Sequence, residues 1–261
     1  MATISGWHIR LGFMAAIVTV LATGCATTQK ELNAVWDWSS VAIPAGAGPD
    51  EFCNDATYRV GDERGEECIA KITGPRPLVI FLHGCSGAYQ PHYIDLLRKL
   101  GYVVVAPNSM INGRQAVCPS NLGVVALRID EAKTVIKRSQ AWSWVDRSRI
   151  VLAGFSEGAV ATAHYDASDL HARVILGWTC QSVAASWAGY RGKEPALAIV
   201  ADRDPWHPGG NAGDCGPYLR DERSRSVVIR DSNQHDVLVG APDVTVKELK
   251  NFLETVLRVR Q

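Results

Sequence analysis

Ile150-Val151-Leu152-Ala153-Gly154-Phe155-Ser156-Glu157-Gly158-Ala159-Val160-Ala161 is the stretch whose reading decides the fold. An apolar, β-favouring run enters Gly154-x-Ser156-x-Gly158, and small helix-compatible residues leave it. Strand, tight turn and helix in that order make a nucleophile elbow, in which the serine hydroxyl projects above the sheet edge. The two glycines sit where a Cβ would crowd the turn. The helix that follows points its N-terminus at the serine and favours negative charge developing there.

Outward from the elbow the chain alternates buried strands with helices. Pro77–Leu82, Tyr102–Ala106, Arg149–Ala153, Arg173–Trp178, Ala196–Val200 and Ser226–Ile229 are continuous apolar or β-branched runs, the mark of strands covered on both faces. Tyr93–Leu100, Val124 to about Ala141, Gly158 to about Ala167 and Val244–Arg258 carry helical patterning. Near the N-terminus, Thr57–Val60 and Cys68–Ile72 flank Gly61-Asp62-Glu63-Arg64-Gly65 and read as a hairpin. The alternation predicts an α/β fold, a mostly parallel central sheet with helices on both faces. Ligands of such sheets bind at the carboxyl ends of the strands.

Chemistry-bearing residues collect at those ends. His83-Gly84-Cys85-Ser86-Gly87 follows the first strong strand, and His83 reads as a brace for its loop rather than a base. Asp202 and Asp204 follow the Ala196–Val200 strand, with Asp204 favoured as the acid and Asp202 as a local turn residue. His235 follows the last strand and is favoured as the base. His207 is its rival, but three residues from Asp204 it is too close in sequence to bracket a serine from the other side. His92, His164 and His171 read as surface residues. Tyr89, Arg114, Trp178, Trp187, Trp206 and His207 lie near the expected pocket, and Trp36 and Trp38 read as caps on the domain.

Before this domain, His8 and Arg10 precede an uncharged run, Leu11–Ala22, suited to a signal-peptide core and too short to span a bilayer. Leu21-Ala22-Thr23-Gly24-Cys25 resembles the lipobox of bacterial lipoproteins, with leucine one place early. That resemblance implies a signal peptide over 1–24 and lipidation at Cys25; the Ala-, Thr-, Gly- and Pro-rich composition that follows reads as a tether and entry loop over 25–48, ahead of a catalytic domain over 49–261. Ala26 after the cysteine implies outer-membrane sorting, facing the periplasm or the cell surface; ordinary secretion is the alternative. The sequence balances 27 basic against 27 acidic residues without a charge block, which argues against a nucleic-acid partner. Cysteines 53, 68, 85, 118, 180 and 215 remain, an even set that suits disulfides in an exported chain, and no CxxC or Cys/His cluster suggests zinc.

From about Gly74 to Arg258 the chain resembles the dienelactone-hydrolase-like branch of the α/β-hydrolases. The likeness is carried by Leu82-His83-Gly84-Cys85-Ser86-Gly87, Gly101-Tyr102-Val103-Val104-Val105-Ala106-Pro107, Val145-Asp146-Arg147-Ser148-Arg149-Ile150 and Gly154-Phe155-Ser156-Glu157-Gly158. The order Ser156, Asp204, His235 matches the α/β-hydrolase order of nucleophile, acid and base. The resemblance implies oxyanion donors at the N–H groups of Glu157 and Cys85, with Ser86 a less favoured second donor. Dienelactone hydrolases proper use a cysteine nucleophile; Ser156 stands here, so the implied activity is carboxylic-ester hydrolysis on a small-molecule ester, with no metal or organic cofactor. A peptidase, thioesterase or acyltransferase on the same residues, or a non-catalytic surface-binding lipoprotein, are the alternatives. The sheet order implied by the resemblance places exit loops side by side and predicts disulfides Cys85–Cys118 and Cys180–Cys215; Cys53 and Cys68 remain, within one short N-terminal segment, and are expected to pair as Cys53–Cys68.

Overall fold

The computed structural model describes residues 27–85, 90–111, 121–181, 187–207 and 213–257. In chain order these form α1 (Gln29–Asp37), β1 (Ser40–Ile43), β2 (Ala56–Arg59), α2 (Glu63–Ala70), β3 (Arg76–Leu82), α3 (Pro91–Lys99), β4 (Val103–Ala106), α4 (Asn121–Ser139), β5 (Val145–Phe155), α5 (Glu157–His164), β6 (Ala172–Leu176), β7 (Ala196–Ala201), β8 (Arg225–Ile229), α6 (Val237–Gly240) and α7 (Pro242–Leu257).

Eight strands build one sheet in the order β2-β1-β4-β3-β5-β6-β7-β8. From β4 to β8 all neighbours are parallel, and β1 is antiparallel to both β2 and β4. Alternate residues of each strand serve opposite faces. Leu78, Ile80 and Leu82 of β3 enter one core with α4 and α5, while Val79 and Phe81 enter the other with α3 and α7. Burying one such side chain stabilises the fold by about 1.5–3 kcal/mol. The chain winds from β3 outward to β4, then returns to β5 and runs the other way. The loops leaving β3 and β5 therefore diverge at a switch point, the place where parallel sheets open a crevice.

Two N-terminal expectations are corrected. The segment read as a tether and entry loop over 25–48 already belongs to the domain from α1. Thr28 and Glu31 form a reciprocal capping box, Val35 is buried, and Trp36 packs on Trp142 at 5.3 Å between ring centroids. Val41, Ala42 and Ile43 of β1 are buried in the sheet. The second arm of the expected hairpin is the helix α2. Gly65, Cys68 and Ile69 bury one helical face while Glu63, Glu66 and Glu67 take the exposed one, a period that a strand cannot satisfy. The partner of β2 is instead β1.

Two of the three expected disulfides form. Cys53–Cys68 ties α2 to the loop before β2, and Cys180–Cys215 joins the loops beyond β6 and β7. The third pairing is corrected: Cys85 is an exposed residue whose thiol is free. Its place is in the wall of the cavity beside Ser156. Cys118 lies outside the described residues, as do the expected signal segment over 1–24 and the lipidation site Cys25. No helix among the described residues is long and apolar enough to cross a membrane.

Candidate active site

Ser156 is the N-cap of α5 and holds φ at 54°, a conformation rare for a residue with a side chain. Its surroundings fix it there. Its N–H donates to Leu176 O at 2.8 Å, and its carbonyl accepts from Ala159 and Val160 N–H at 2.9 and 3.1 Å. The flanking glycines are required by contact. A Cβ on Gly154 would stand 2.2 Å from Gly158 O, and one on Gly158 would stand 2.2 Å from Leu82 O. The pattern Gly-x-Ser-x-Gly thus records how tightly the elbow is pressed against β3.

The loops beyond β7 and β8 bring an acid and an imidazole to this serine. Ser156 Oγ donates to His235 Nε2 at 2.7 Å, and His235 Nδ1 donates to Asp204 Oδ2 at 2.6 Å. Asp204 is buried. Burial works to raise its pKa, but the hydrogen bond from His235, the Trp206 N–H at 2.9 Å and the neighbouring imidazoles outweigh it, and the net shift is downward. Asp202 turns away and accepts the N–H groups of Asp231 and Ser232 at 3.0 and 3.1 Å, bracing the loop that carries His235.

His207 does not take the base position. Its Nε2 lies 3.4 Å from Gly177 O and 3.6 Å from Asp204 Oδ2, and burial lowers its pKa against the opposing pull of Asp204. Asp204, His207 and His235 bring ligand-type atoms within 4.8 Å of one another, the one such group among the described residues. It coincides with the hydrogen-bonded chain that ends on Ser156.

The loop after β3 is held from behind. His83 is buried; its Nδ1 donates to Gly84 O at 2.7 Å, and its Nε2 accepts from Ser109 N–H at 3.3 Å and Arg128 Nη1 at 3.2 Å. Burial, with Arg128 adding to it, pushes its pKa down to about 3, so it is a neutral brace at any working pH. Gly84 N–H donates to Gln90 Oε1 at 2.9 Å.

Sequence reasoning missed Arg128, Glu131, Gln90, Tyr93 and Asp236. Arg128 and Glu131 are buried in α4 among Val125, Ala132 and Val135. A charged pair on an apolar stripe was the available signal, because such groups are seldom buried unpaired. Asp236 caps α6 and accepts the Tyr93 hydroxyl at 2.7 Å, anchoring the residue next to His235 to α3. No local pattern announces that contact across the fold. Another expectation is corrected at His164, read as a surface residue: it is buried, between Trp178 and Trp187 at ring-centroid distances of 5.5 and 5.1 Å.

Ser156, Cys85, Glu157 and His235 open on a cavity of about 200 Å³, walled by Trp178, Trp187, Trp206 and His207. Trp206 stands exposed at its rim. Tyr89, Arg114 and Ser86 lie outside the described residues.

No protein-family model matches the chain, and no curated protein matches it. Solved structures do. The chain is similar to a dienelactone hydrolase from Anabaena variabilis, 20% identical over 71% of this chain and 89% of that one, with a TM-score of 0.55. It is similar to a dienelactone hydrolase-like promiscuous phosphotriesterase from metagenomic libraries, 17% identical over 70% and 88%, with a TM-score of 0.55. It also resembles a puromycin-hydrolysing peptidase from Mycobacterium tuberculosis, 12% identical over 71% of this chain and 35% of that one, with a TM-score of 0.56. At such identities the likeness is one of fold, and the fold is that of the α/β-hydrolases.

Proposed function

We propose that this chain is an exported serine hydrolase that cleaves carboxylic esters through an acyl-enzyme. The observation that supports this most is the unbroken hydrogen-bonded chain from Ser156 through His235 to buried Asp204, at the mouth of an apolar cavity. In this reading Ser156 Oγ attacks the ester carbonyl as His235 Nε2 takes its proton. Asp204, still charged well into acid, holds the Nδ1–H tautomer and stabilises the imidazolium. The N–H groups of Glu157 and Cys85 receive the oxyanion; both residues line the cavity with Ser156. His235 then protonates the departing alcohol, and water repeats the sequence on the acyl-enzyme.

Two disulfides among the described residues accord with folding in an oxidising compartment. Lipid anchoring at Cys25, outer-membrane placement and a signal peptide over 1–24 rest on the sequence pattern. The test of activity is a fluorophosphonate probe followed by a panel of ester, thioester and amide substrates. Wild type takes the label and turns over esters fastest, and Ser156→Ala takes none. A probe that fails on folded wild type favours a binding protein, and amides turned over fastest favour a peptidase. For the anchor, wild-type protein from whole cells partitions into the detergent phase and Cys25→Ser into the aqueous phase; wild type found in the aqueous phase removes the lipoprotein reading.

A further inference from the structure

We propose that Arg128 is a positioning residue for the oxyanion hole, setting the direction and the donor strength of the Cys85 N–H. The inference rests on the reading of Ser156 as a nucleophile.

The argument begins with one peptide unit. Gly84 O and Cys85 N–H belong to the same peptide, and no cis peptide occurs among the described residues. In a trans peptide the carbonyl and the N–H point in opposite directions. Gly84 O is turned to the buried side, where it accepts His83 Nδ1–H at 2.7 Å and Arg128 Nη2 at 3.4 Å. The Cys85 N–H is thereby turned the other way. Cys85 walls the cavity together with Ser156, and its N–H is assigned to that side. The loop stands close enough for such a donor to reach: a Cβ on Gly84 would lie 3.2 Å from Ser156 Cβ.

The preceding peptide is held as well, through Gly84 N–H on Gln90 Oε1. Glycine would otherwise leave both peptide planes free to rotate. His83 can donate one hydrogen to Gly84 O and no more, because its Nε2 is occupied as an acceptor by Ser109 and Arg128. Arg128 is therefore tied both to the carbonyl and to the imidazole that orients it.

Charge adds to direction. A guanidinium at a carbonyl oxygen polarises the peptide and strengthens the N–H at its far end. The same guanidinium reaches Glu157 Oε1 at 3.1 Å from Nη2 and 3.2 Å from Nε. Glu157 supplies the other expected donor through its backbone, yet its carboxylate opposes an oxyanion. Arg128 draws that carboxylate onto the α4 side. Glu131, 3.5 Å from Nη1 and itself hydrogen-bonded to Ser109 Oγ, fixes the guanidinium from behind. One buried side chain on α4 thus spans the loop after β3 and the first residue of α5, the two sources of oxyanion donors.

The experiment compares Arg128→Met and Arg128→Lys with wild type on p-nitrophenyl acetate, counting active sites in each by fluorophosphonate titration. Arg128→Met lowers kcat per titrated site about 10²-fold, the scale of one lost oxyanion donor. KM stays within about threefold, because the contact is made in the transition state. Arg128→Lys keeps the charge but not the fork, and shows a smaller loss of the same kind. Affinity for phenylboronic acid, which becomes a tetrahedral anion on the serine, falls in step with kcat. A loss confined to the number of titratable sites, a rise in KM at constant kcat, or an unchanged boronate affinity overturns the inference. The milder lysine variant reads the same quantities if the methionine variant does not fold. Folded wild type that takes no label overturns the hydrolase reading and this inference with it; labelled wild type with unaffected variants overturns this inference alone.

Discussion

His235 Nδ1 lies 2.6 Å from Asp204 Oδ2, while Asp202, on the same turn, faces the backbone of Asp231 and Ser232. Two aspartates at the end of one strand therefore do different work. Asp204→Asn keeps the shape but offers an amide to the ring, favouring the wrong tautomer, and should cost about 10⁴ in kcat. Asp202→Asn keeps one of the two acceptor oxygens and loses the other N–H contact, but it leaves the His235–Asp204 bond in place and should change kcat far less. Steady-state kinetics on an activated ester check the pair. A reversed ranking would show that the loop is used differently.

The sheet was legible because β4, β7, the Leu78–Leu82 part of β3 and the Ile150–Phe155 part of β5 are buried on both faces and read as unbroken apolar runs. The serine, the acid and the imidazole were legible because each follows its own strand. What escaped the sequence is cooperative and distant. The Asp236–Tyr93 hydrogen bond spans 143 residues, and the Arg128–Gly84 contact spans 44. The α2 segment reads as a strand because its short apolar face, Cys68 and Ile69, is indistinguishable from one until its charged neighbours are counted around a turn. Loop adjacency alone predicts a partner for Cys85, and adjacency of loops does not fix the direction of a thiol.

Gly158→Ala tests how tightly the elbow is pressed. Its new Cβ would meet Leu82 O at 2.2 Å, Leu82 C at 2.6 Å and His83 O at 2.8 Å, all backbone atoms. Backbone of a central strand cannot step aside, so α5 must lift from β3 and carry Ser156 with it. Overpacking of this kind costs about 1–3 kcal/mol. The variant should melt lower and label more slowly with fluorophosphonate. Wild-type values on both counts would mean that the elbow is looser than these contacts imply.

His83 should leave a mark on stability against pH. Its pKa falls from an unfolded value near 6.5 to about 3 in the folded protein. Between those values the unfolded chain binds the extra proton, so stability falls as pH falls, by up to about 1.4 kcal/mol per pH unit for one group. The contribution is fully present above about pH 6.5 and is lost progressively toward pH 3. His164 and His207 shift in the same direction, chiefly through burial, so wild type carries several shares. His83→Gln removes one. Urea denaturation at several values between about pH 6 and 4.5, above the ordinary carboxylate range, should give a shallower slope for the variant. Parallel slopes would place the His83 ring in water.

Cys85 links the disulfide pattern to the site. Peptide mapping without reduction should find Cys53 joined to Cys68 and Cys180 joined to Cys215, with Cys85 alkylated. The loops closed by the two bonds span 15 and 35 residues, and each bond should stabilise the fold by about 2–4 kcal/mol. Partial burial of the sulfur, and then the charge of Glu157, raise the Cys85 thiol pKa, so the thiolate is scarce at neutral pH. Its alkylation by iodoacetamide should therefore be slow near pH 7 and continue to accelerate above the ordinary thiol range of about 8.5. Because Cys85 and Ser156 wall the same cavity, the carbamidomethyl group should then block fluorophosphonate labelling of Ser156. A Cys85–Cys118 peptide in the map, or a fully alkylated Cys85 with labelling undiminished, would remove this thiol from the cavity.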